Sequence, residues 1–247
     1  MALKVISLDF WNTIFDSSNG TNRNKIRKLT IYKELEDYEF VLTDELFDKA
    51  LKESWAYFNN IWMNQQRTPQ AEDTIQFFWK YLGLPHNPGA IERITRVFSD
   101  SILDFPPKLN DGIIDVLPKL AEKYKLGIVS DTGFTPGSIL RILLKDFDIF
   151  KYFSAFSFSD ETGVSKPHPK AFSTILEQLD CLPQNSVHIG DIEKTDIVGA
   201  KKIGMKAILY NGDKTAQFNK DNTPTTLAEF ESNNWNEIYN LILDLDS

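Results

Sequence analysis

The feature that most constrains the fold is a run of strands alternating with helices that begins after Pro107. Strands are predicted at residues 125–130, 153–159, 186–191 and 206–211, and helices at 111–124, 135–146, 169–179, 195–203 and 234–243. Most of these strands are apolar throughout, which is typical of strands covered on both faces. The pattern therefore predicts an α/β fold, with a parallel sheet and helices on both faces.

A further strand is predicted far upstream, at residues 3–8, where the chain is short, apolar and partly β-branched. Between it and Pro107, apolar residues recur at helical spacing in four blocks. Thr43 is the predicted N-cap of the second block, and Thr68–Pro69 is predicted to open the third. The sequence thus predicts an all-helical cap at 16–107, inserted into a Rossmann-like core formed by 1–15 and 108–247.

Composition limits the class of partner. The chain has 247 residues and a net charge of −8, and this acidic balance disfavours nucleic acid and anionic membranes. Cys181 is the single cysteine, so neither an intrachain disulfide nor a zinc site built from several cysteines is available. The N-terminus lacks a signal-peptide pattern, and no apolar run approaches the ~20 residues of a membrane span. We expect a soluble, cytoplasmic protein.

Polar side chains follow three of the predicted strands, and others lie in loops nearby. They are Asp9, Ser130 with Asp131, and Asp191 at strand ends, with Lys166 in a loop and Asp196 in the first turn of the next helix. The carboxyl ends of parallel strands meet at one edge of a sheet, where ligands bind. Grouped carboxylates repel one another unless a cation joins them, and oxygen ligands suit Mg²⁺. A lysine and a hydroxyl beside that cation would complete a clamp for phosphate.

Four segments resemble, in order, the motifs of the haloacid dehalogenase-like hydrolases. They are "DFWNT" at 9–13, "GIVSD" at 127–131, "GVSKPHPKAF" at 163–172 and "GDIEKTDIVGAKKIGM" at 190–205. The resemblance covers nearly the whole chain. The helical insertion after the first segment is similar to the cap of subclass I in that family, which closes over the site.

The resemblance implies a reaction in two steps. Asp9 would attack phosphorus to form an aspartyl-phosphate, which water then hydrolyses, and Lys166 would neutralise charge on Asp9 and on the substrate. The implied Mg²⁺ ligands are Asp9, the backbone carbonyl of Trp11, Asp191 and Asp196, and the implied substrate-binding residues are Asn12, Thr13 and Ser130. The expected partner is a small phosphorylated or otherwise activated metabolite.

Trp11 departs from the pattern of the family's phosphatases. In those enzymes the residue two positions after the nucleophile is an aspartate that protonates the leaving alcohol and then activates water. An indole does neither, and a general acid–base group contributes about 10²–10⁴-fold in rate. We therefore expect substrates with good leaving groups, such as acyl or aryl phosphates.

Other readings of Trp11 stay open. Dehalogenases of the family need no acid because halide leaves unprotonated, and Arg23 and Arg27 lie in the first cap helix, where an arginine of that branch would be sought. Phosphonate C–P hydrolases need a cap lysine, for which Lys49 and Lys52 lie in a plausible region. A third possibility is a catalytically weak member that binds a ligand or partner.

Some neighbouring residues are predicted to have structural roles. Asp131 is interpreted as a helix cap, and His168 as an exposed loop residue. The tryptophans at 55, 62 and 79 are interpreted mostly as cap core, with one or two of them facing the substrate.

Overall fold

The computed structural model describes residues 2–36, 38–215 and 225–246. In these residues, one six-stranded sheet has the order β3-β2-β1-β4-β5-β6, and every neighbouring pair is parallel. The strands are β1 (Val5–Leu8), β2 (Lys125–Ser130), β3 (Phe153–Phe158), β4 (Ser186–Gly190), β5 (Lys206–Tyr210) and β6 (Phe230–Ser232). The predicted α/β fold with a parallel sheet is confirmed.

The register of β1 explains why the strand ends meet. Leu8 is paired with Ile128 of β2 on one side and with Ile189 of β4 on the other. The residues that follow these three strands therefore leave the sheet at one edge. The strand order also reverses between β1 and β4, the place where parallel α/β sheets open a crevice for ligands.

Helices cover both faces of the sheet. They are α5 (Ile113–Ala121), α6 (Gly137–Asp146), α7 (Ser159–Thr162), α8 (Pro169–Leu179), α9 (Val198–Lys202) and α10 (Trp235–Asp246). One hydrophobic cluster joins the sheet to α5, α6 and α10, and another joins it to α8 and α9. The predicted helix at 195–203 is instead a π-helical turn, Glu193–Ile197, that continues into α9.

Four helices follow β1 before the next strand. They are α1 (Gly20–Glu34), α2 (Asp44–Gln65), α3 (Ala71–Tyr81) and α4 (Pro88–Asp104). They bury a hydrophobic cluster of their own, which one residue of the core, Phe134, joins. The two connecting segments run side by side, because the Asp16 N–H donates to the Lys108 carbonyl at 2.9 Å. The domain boundaries at 15/16 and 107/108 stay a prediction.

The caps of these helices follow the sequence in part. The Thr43 hydroxyl accepts the Leu46 N–H at 3.1 Å, as predicted for an N-cap. The prediction that Thr68–Pro69 opens the third helix is wrong, since α3 begins at Ala71 and the Gln70 N–H donates to Asp73 at 3.1 Å. The Thr68 hydroxyl is engaged elsewhere, 2.6 Å from that of Ser159 in the core.

The strand β6 was not predicted. It is three residues long and lies at the sheet edge, where it pairs with β5. None of the helices within residues 2–36, 38–215 and 225–246 combines the length and the apolar character needed to cross a bilayer.

Candidate active site

Asp9 lies at the end of the central strand β1. Its backbone N–H donates to the Ile189 carbonyl of β4 at 2.8 Å, which holds the residue at the reversal point of the sheet. The residue is only 5% exposed. Burial raises the pKa of Asp9 to about 6, and Asp196 adds to this, although Lys166 opposes the shift.

Lys166 lies between two carboxylates. Its Nζ is 2.5 Å from Oδ1 of Asp9 and 2.7 Å from Oδ1 of Asp196. Burial disfavours the charged amine, but the carboxylates of Asp196, Asp9 and Asp131 outweigh it and raise the pKa of Lys166. The lysine is therefore a fixed cation in contact with the Asp9 carboxylate.

Asp196 is fully buried and its two oxygens are surrounded by donors. Oδ1 contacts Lys166 Nζ and lies 3.0 Å from His188 Nε2, and Oδ2 accepts the Ile192 N–H at 3.1 Å and the Thr195 hydroxyl at 3.3 Å. Burial would raise the pKa of Asp196, but Lys166 and His188 hold it well below its usual range. The carboxylate is thus ionised and held in one orientation.

A chain of hydrogen bonds links these groups to the sheet. Nδ1 of His188 lies 2.9 Å from the Ser7 hydroxyl, and Nε2 of the same ring faces Asp196. Because a carboxylate only accepts, Nε2 donates to Asp196, while Nδ1 forms the hydrogen bond with the Ser7 hydroxyl. From Asp196 the hydrogen bonds continue through Lys166 to Asp9, which follows β1 two residues after Ser7.

A glycine makes room for this arrangement. A Cβ added at Gly190 would lie 2.3 Å from Cγ of Asp196, far inside contact distance. The backbone of β4 therefore approaches the Asp196 carboxylate as only glycine permits.

Three carboxylates meet at one point beside the lysine. Asp9, Asp191 and Asp196 each offer an oxygen, and these oxygens lie within 4.8 Å of one another. Asp191 is 4% exposed, and burial, Asp9 and Asp196 together raise its pKa well above its usual range. Neighbouring carboxylates that disfavour one another's ionisation are relieved by a bound cation, and the oxygen donors fit Mg²⁺.

The predicted substrate-binding residues surround Asp9 at different depths. The Asn12 side chain hydrogen-bonds to Asp191 and accepts the Ser17 hydroxyl at 2.7 Å. The hydroxyls of Thr13 and Ser130 are buried and have no hydrogen-bond partner in the described residues. Of the three, Asn12 lines the cavity described next.

A cavity of about 640 Å³ lies between the strand ends and the cap. Asp9, Trp11, Lys166 and Asp191 line the side formed by the core. Trp11 is half-buried, with its ring edge-on to Phe10 at 5.1 Å.

The cap side of the cavity is formed by one face of each of two helices. From α1 it includes residues 20, 23, 24 and 27, and from α2 residues 48, 51, 52, 55, 58, 59 and 62. Both sets have the spacing of a single helical face. Trp55 and Trp62 therefore face the cavity, whereas Trp79 is buried in the cap core, where its indole N–H donates to the Pro85 carbonyl at 2.7 Å.

Asp131 joins the two sides of the cavity. One oxygen accepts the Trp62 indole N–H at 2.8 Å, and the other accepts the Lys166 backbone N–H at 2.9 Å. Burial raises its pKa to about 6. Asp131 thus holds the lysine loop and the cap helix at the same time, a role that its interpretation as a helix cap did not anticipate.

The family profile described as haloacid dehalogenase-like hydrolase matches residues 9–210. The chain belongs to this family. It is also 36% identical over 220 residues to the glyceraldehyde 3-phosphate phosphatase of Pyrococcus furiosus, across 87% of this chain and 83% of that protein.

Solved structures share the fold of this haloacid dehalogenase-like hydrolase. The 2-haloacid dehalogenase of Pseudomonas syringae superposes with a TM-score of 0.67 at 18% identity, over 98% of both chains. The HAD-hydrolase YfnB of Bacillus subtilis, solved bound to magnesium, superposes with a TM-score of 0.63 at 19% identity, over 98% of this chain and 99% of that one. Identities this low show the fold alone.

The sequence indicated the acidic and basic residues of this hydrolase site but not the residues that hold them in place. His188, which contacts Asp196 and Ser7, is one of the residues that were missed, although a histidine in an otherwise apolar strand needs polar partners. This need for polar partners was the signal by which the sequence could have identified His188. His168 is half-buried, and its Nδ1 accepts the Lys170 N–H at 3.1 Å at the start of α8.

Proposed function

We propose that this hydrolase is a Mg²⁺-dependent phosphatase that acts on small phosphorylated metabolites through an aspartyl-phosphate on Asp9. One observation carries the proposal: the Asp9 carboxylate faces a cavity between the core and the cap, with Lys166 Nζ 2.5 Å away and other acidic oxygens beside it. The phosphatase name of the Pyrococcus furiosus relative supports the same reaction class.

The donor set supports magnesium as the cofactor. We propose that Asp9, Asp191 and the backbone carbonyl of Trp11 hold the ion. Asp196, which the sequence also proposed as a ligand, already has four donors around its oxygens, and its proposed role is to hold Lys166 against Asp9. When bound, Mg²⁺ would reduce the repulsion between the carboxylates and the phosphoryl oxygens.

The chain's own residues would perform two displacements. An oxygen of Asp9 attacks phosphorus, the bond from phosphorus to the leaving oxygen breaks, and Lys166 compensates the charge on the phosphoryl group. Water then attacks phosphorus, the bond to Asp9 breaks, and inorganic phosphate is released. Ser130, Asn12 and Thr13 are proposed to orient the phosphoryl oxygens.

The leaving group decides how fast the first step runs. Trp11 lines the cavity beside Asp9 and supplies no titratable proton. An acyl or aryl oxygen departs as an anion, whereas an alkyl oxygen needs protonation. We therefore propose a preference for acyl and aryl phosphates.

The test compares three phosphates with Mg²⁺ and with EDTA. Acetyl phosphate and p-nitrophenyl phosphate have good leaving groups, and glyceraldehyde 3-phosphate is an alkyl ester. Activity that needs Mg²⁺ and falls about 10³-fold or more in Asp9→Asn would support the proposal. Chloride release from 2-chloropropionate without Mg²⁺ would overturn it in favour of a dehalogenase.

A gain of function tests the role of Trp11. In Trp11→Asp, kcat for glyceraldehyde 3-phosphate should rise by up to about 10²-fold, while kcat for acetyl phosphate changes little. Trp11→Phe is the matched control, because it replaces the indole with a smaller aromatic ring and adds no acid. Equal effects of both variants on the two substrates would contradict the leaving-group argument.

A further inference from the structure

Two arginines of α1 are buried and form no salt bridge with a described residue. Arg23 and Arg27 are each 8% exposed. In the part of the chain that the structure describes, neither guanidinium has a carboxylate oxygen within 4 Å. More exposed arginines do have one: Arg93 pairs with Glu34, and Arg141 with Glu161. This is the reverse of the usual pattern, in which buried charges are the ones that are paired.

The groups that the two arginines do contact are neutral. Arg27 donates to the Phe98 carbonyl at 2.9 Å, the Ser101 hydroxyl at 3.2 Å and the Asn24 side-chain oxygen at 3.2 Å. Arg23 donates through Nη1 to the Phe105 carbonyl at 2.8 Å.

These contacts orient the arginines but bring no carboxylate into contact with either of them in the described residues. Burial lowers the pKa of Arg23, and the more distant Asp16 only partly opposes this. Most of the acceptors belong to the last turns of α4 or follow it, where the helix dipole favours a cation. A partial charge of that kind does not neutralise two full ones. A guanidinium also has five N–H groups, so each arginine keeps donors in excess of these contacts.

Both arginines line the cavity that contains Asp9. Arg23 and Arg27 are four residues apart on the face of α1 that forms part of the cavity wall. Burial, and then the nearby Arg23, lower the pKa of Arg27 to about 9, so the surroundings of Arg27 disfavour its charged form. An anion entering the cavity would relieve this, whereas Lys166 already contacts two carboxylates.

We infer that Arg23 and Arg27 bind a second anionic group of the substrate, a carboxylate or a further phosphate, while the transferred group lies at Asp9. The identity of the transferred group rests on the proposed function, but the anion site rests on the arginines alone. The cavity would thus select doubly anionic metabolites over neutral phosphate esters of the same size. Guanidinium groups suit this task because they bind carboxylate and phosphate through two parallel hydrogen bonds.

The first test measures binding of non-hydrolysable probes to the wild-type protein with Mg²⁺, by isothermal titration calorimetry. 3-Phosphonopropionate and propylphosphonate have the same length and differ by a carboxylate in place of a methyl group. Wild type should bind the carboxylate probe about 10-fold or more tightly, the size expected of one charge-assisted hydrogen bond. Ethane-1,2-bisphosphonate shows whether a second phosphate-like group is preferred to a carboxylate.

Variants then assign the preference to the two arginines. In Arg23→Gln and in Arg27→Gln the ratio of the two Kd values should fall towards one, with the Kd of propylphosphonate unchanged. Arg23→Lys and Arg27→Lys should retain part of the preference because they keep the charge. Lys52→Gln is the matched control, since it removes an exposed cation from the same cavity and should leave the ratio unchanged.

The outcomes separate this inference from the proposed function. A wild-type ratio within 2-fold of one would overturn the anion site even if a glutamine variant failed to fold. An unchanged ratio in both folded glutamine variants would also overturn it and leave the arginines a structural role. A clear ratio in a protein that hydrolyses no phosphate would uphold the anion site and refute the phosphatase.

Discussion

The two sides of the cavity hold their charges in opposite ways. On the core side, Lys166 contacts Asp9 and Asp196, so its charge is balanced as soon as the chain folds. On the cap side, Arg23 and Arg27 are oriented by neutral acceptors and form no salt bridge with a described residue, which is the basis of the proposed anion site. The core thus forms its ionic contacts when the chain folds, whereas the proposed role of the cap arginines is to select the ligand.

The largest test of this contrast removes the central cation. Lys166→Met would leave Asp9 and Asp196 buried without it, and breaking a buried pair in this way costs about 3–5 kcal/mol. The free energy of unfolding should fall by that amount in urea denaturation without Mg²⁺, and phosphatase activity should be lost.

Lys201→Met is the control for that loss. Lys201 pairs with Glu229 near the surface, and exposed pairs contribute about 0–1 kcal/mol. Equal losses of unfolding free energy in the two variants would show that the buried lysine contributes no more to stability than an exposed one.

A second test crowds the core side without removing any charge. Gly190→Ala places a methyl group 2.3 Å from Cγ of Asp196, and overpacking of this kind costs about 1–3 kcal/mol. Because Asp196 holds Lys166, we expect kcat to fall with stability. Gly89→Ala, where the new methyl group meets the flexible end of Arg93 at 3.3 Å and the Asn87 side-chain oxygen at 3.7 Å, should leave activity intact.

A smaller effect is expected where the two sides meet. Trp62→Phe keeps an aromatic ring but removes the N–H that Asp131 accepts, at a cost of about 1 kcal/mol. Trp55→Phe is matched, since Trp55 lies on the same face of α2 and has no hydrogen bond to a described residue. Equal thermal shifts in both variants would mean that the Trp62–Asp131 contact does not hold the cap.

The smallest effect is a difference in pH dependence. Because burial raises the pKa of Asp131 to about 6, the folded protein keeps this proton at pH values where the unfolded chain has lost it. The contribution of Asp131 to stability therefore falls as the pH rises through this range. Between pH 5 and 7, metal-free wild type should lose about 1 kcal/mol more stability than Asp131→Asn. Parallel pH profiles of the two proteins would refute the shift.

The sequence predicted the core better than the cap because periodicity reports burial directly. Five strands were predicted close to their observed bounds, since continuous apolar runs mark strands covered on both faces. β6 was missed because three residues at a sheet edge, in a polar tail, show no period. The third cap helix was misplaced because the Thr68 hydroxyl contacts the core, a contact that no local signal reveals.

The same reasoning separates what could be predicted of the site. Strand ends of a parallel sheet converge, so Asp9 and Asp191 could be placed together from their positions alone. The role of Asp131 depends on a cap side chain that reaches it, and the roles of Arg23 and Arg27 depend on the end of α4 that they contact. That information lies in how the elements pack against one another, which a single sequence does not display.

The chain of hydrogen bonds has an evolutionary consequence. It starts at Ser7, passes through His188, Asp196 and Lys166, and ends at Asp9, just beyond the same strand. Losing any one member leaves its neighbour with an unpaired buried donor or charge, so substitutions tolerated at these positions should arise together. A lineage released from selection for turnover would be expected to lose these contacts, and here each of the four is present.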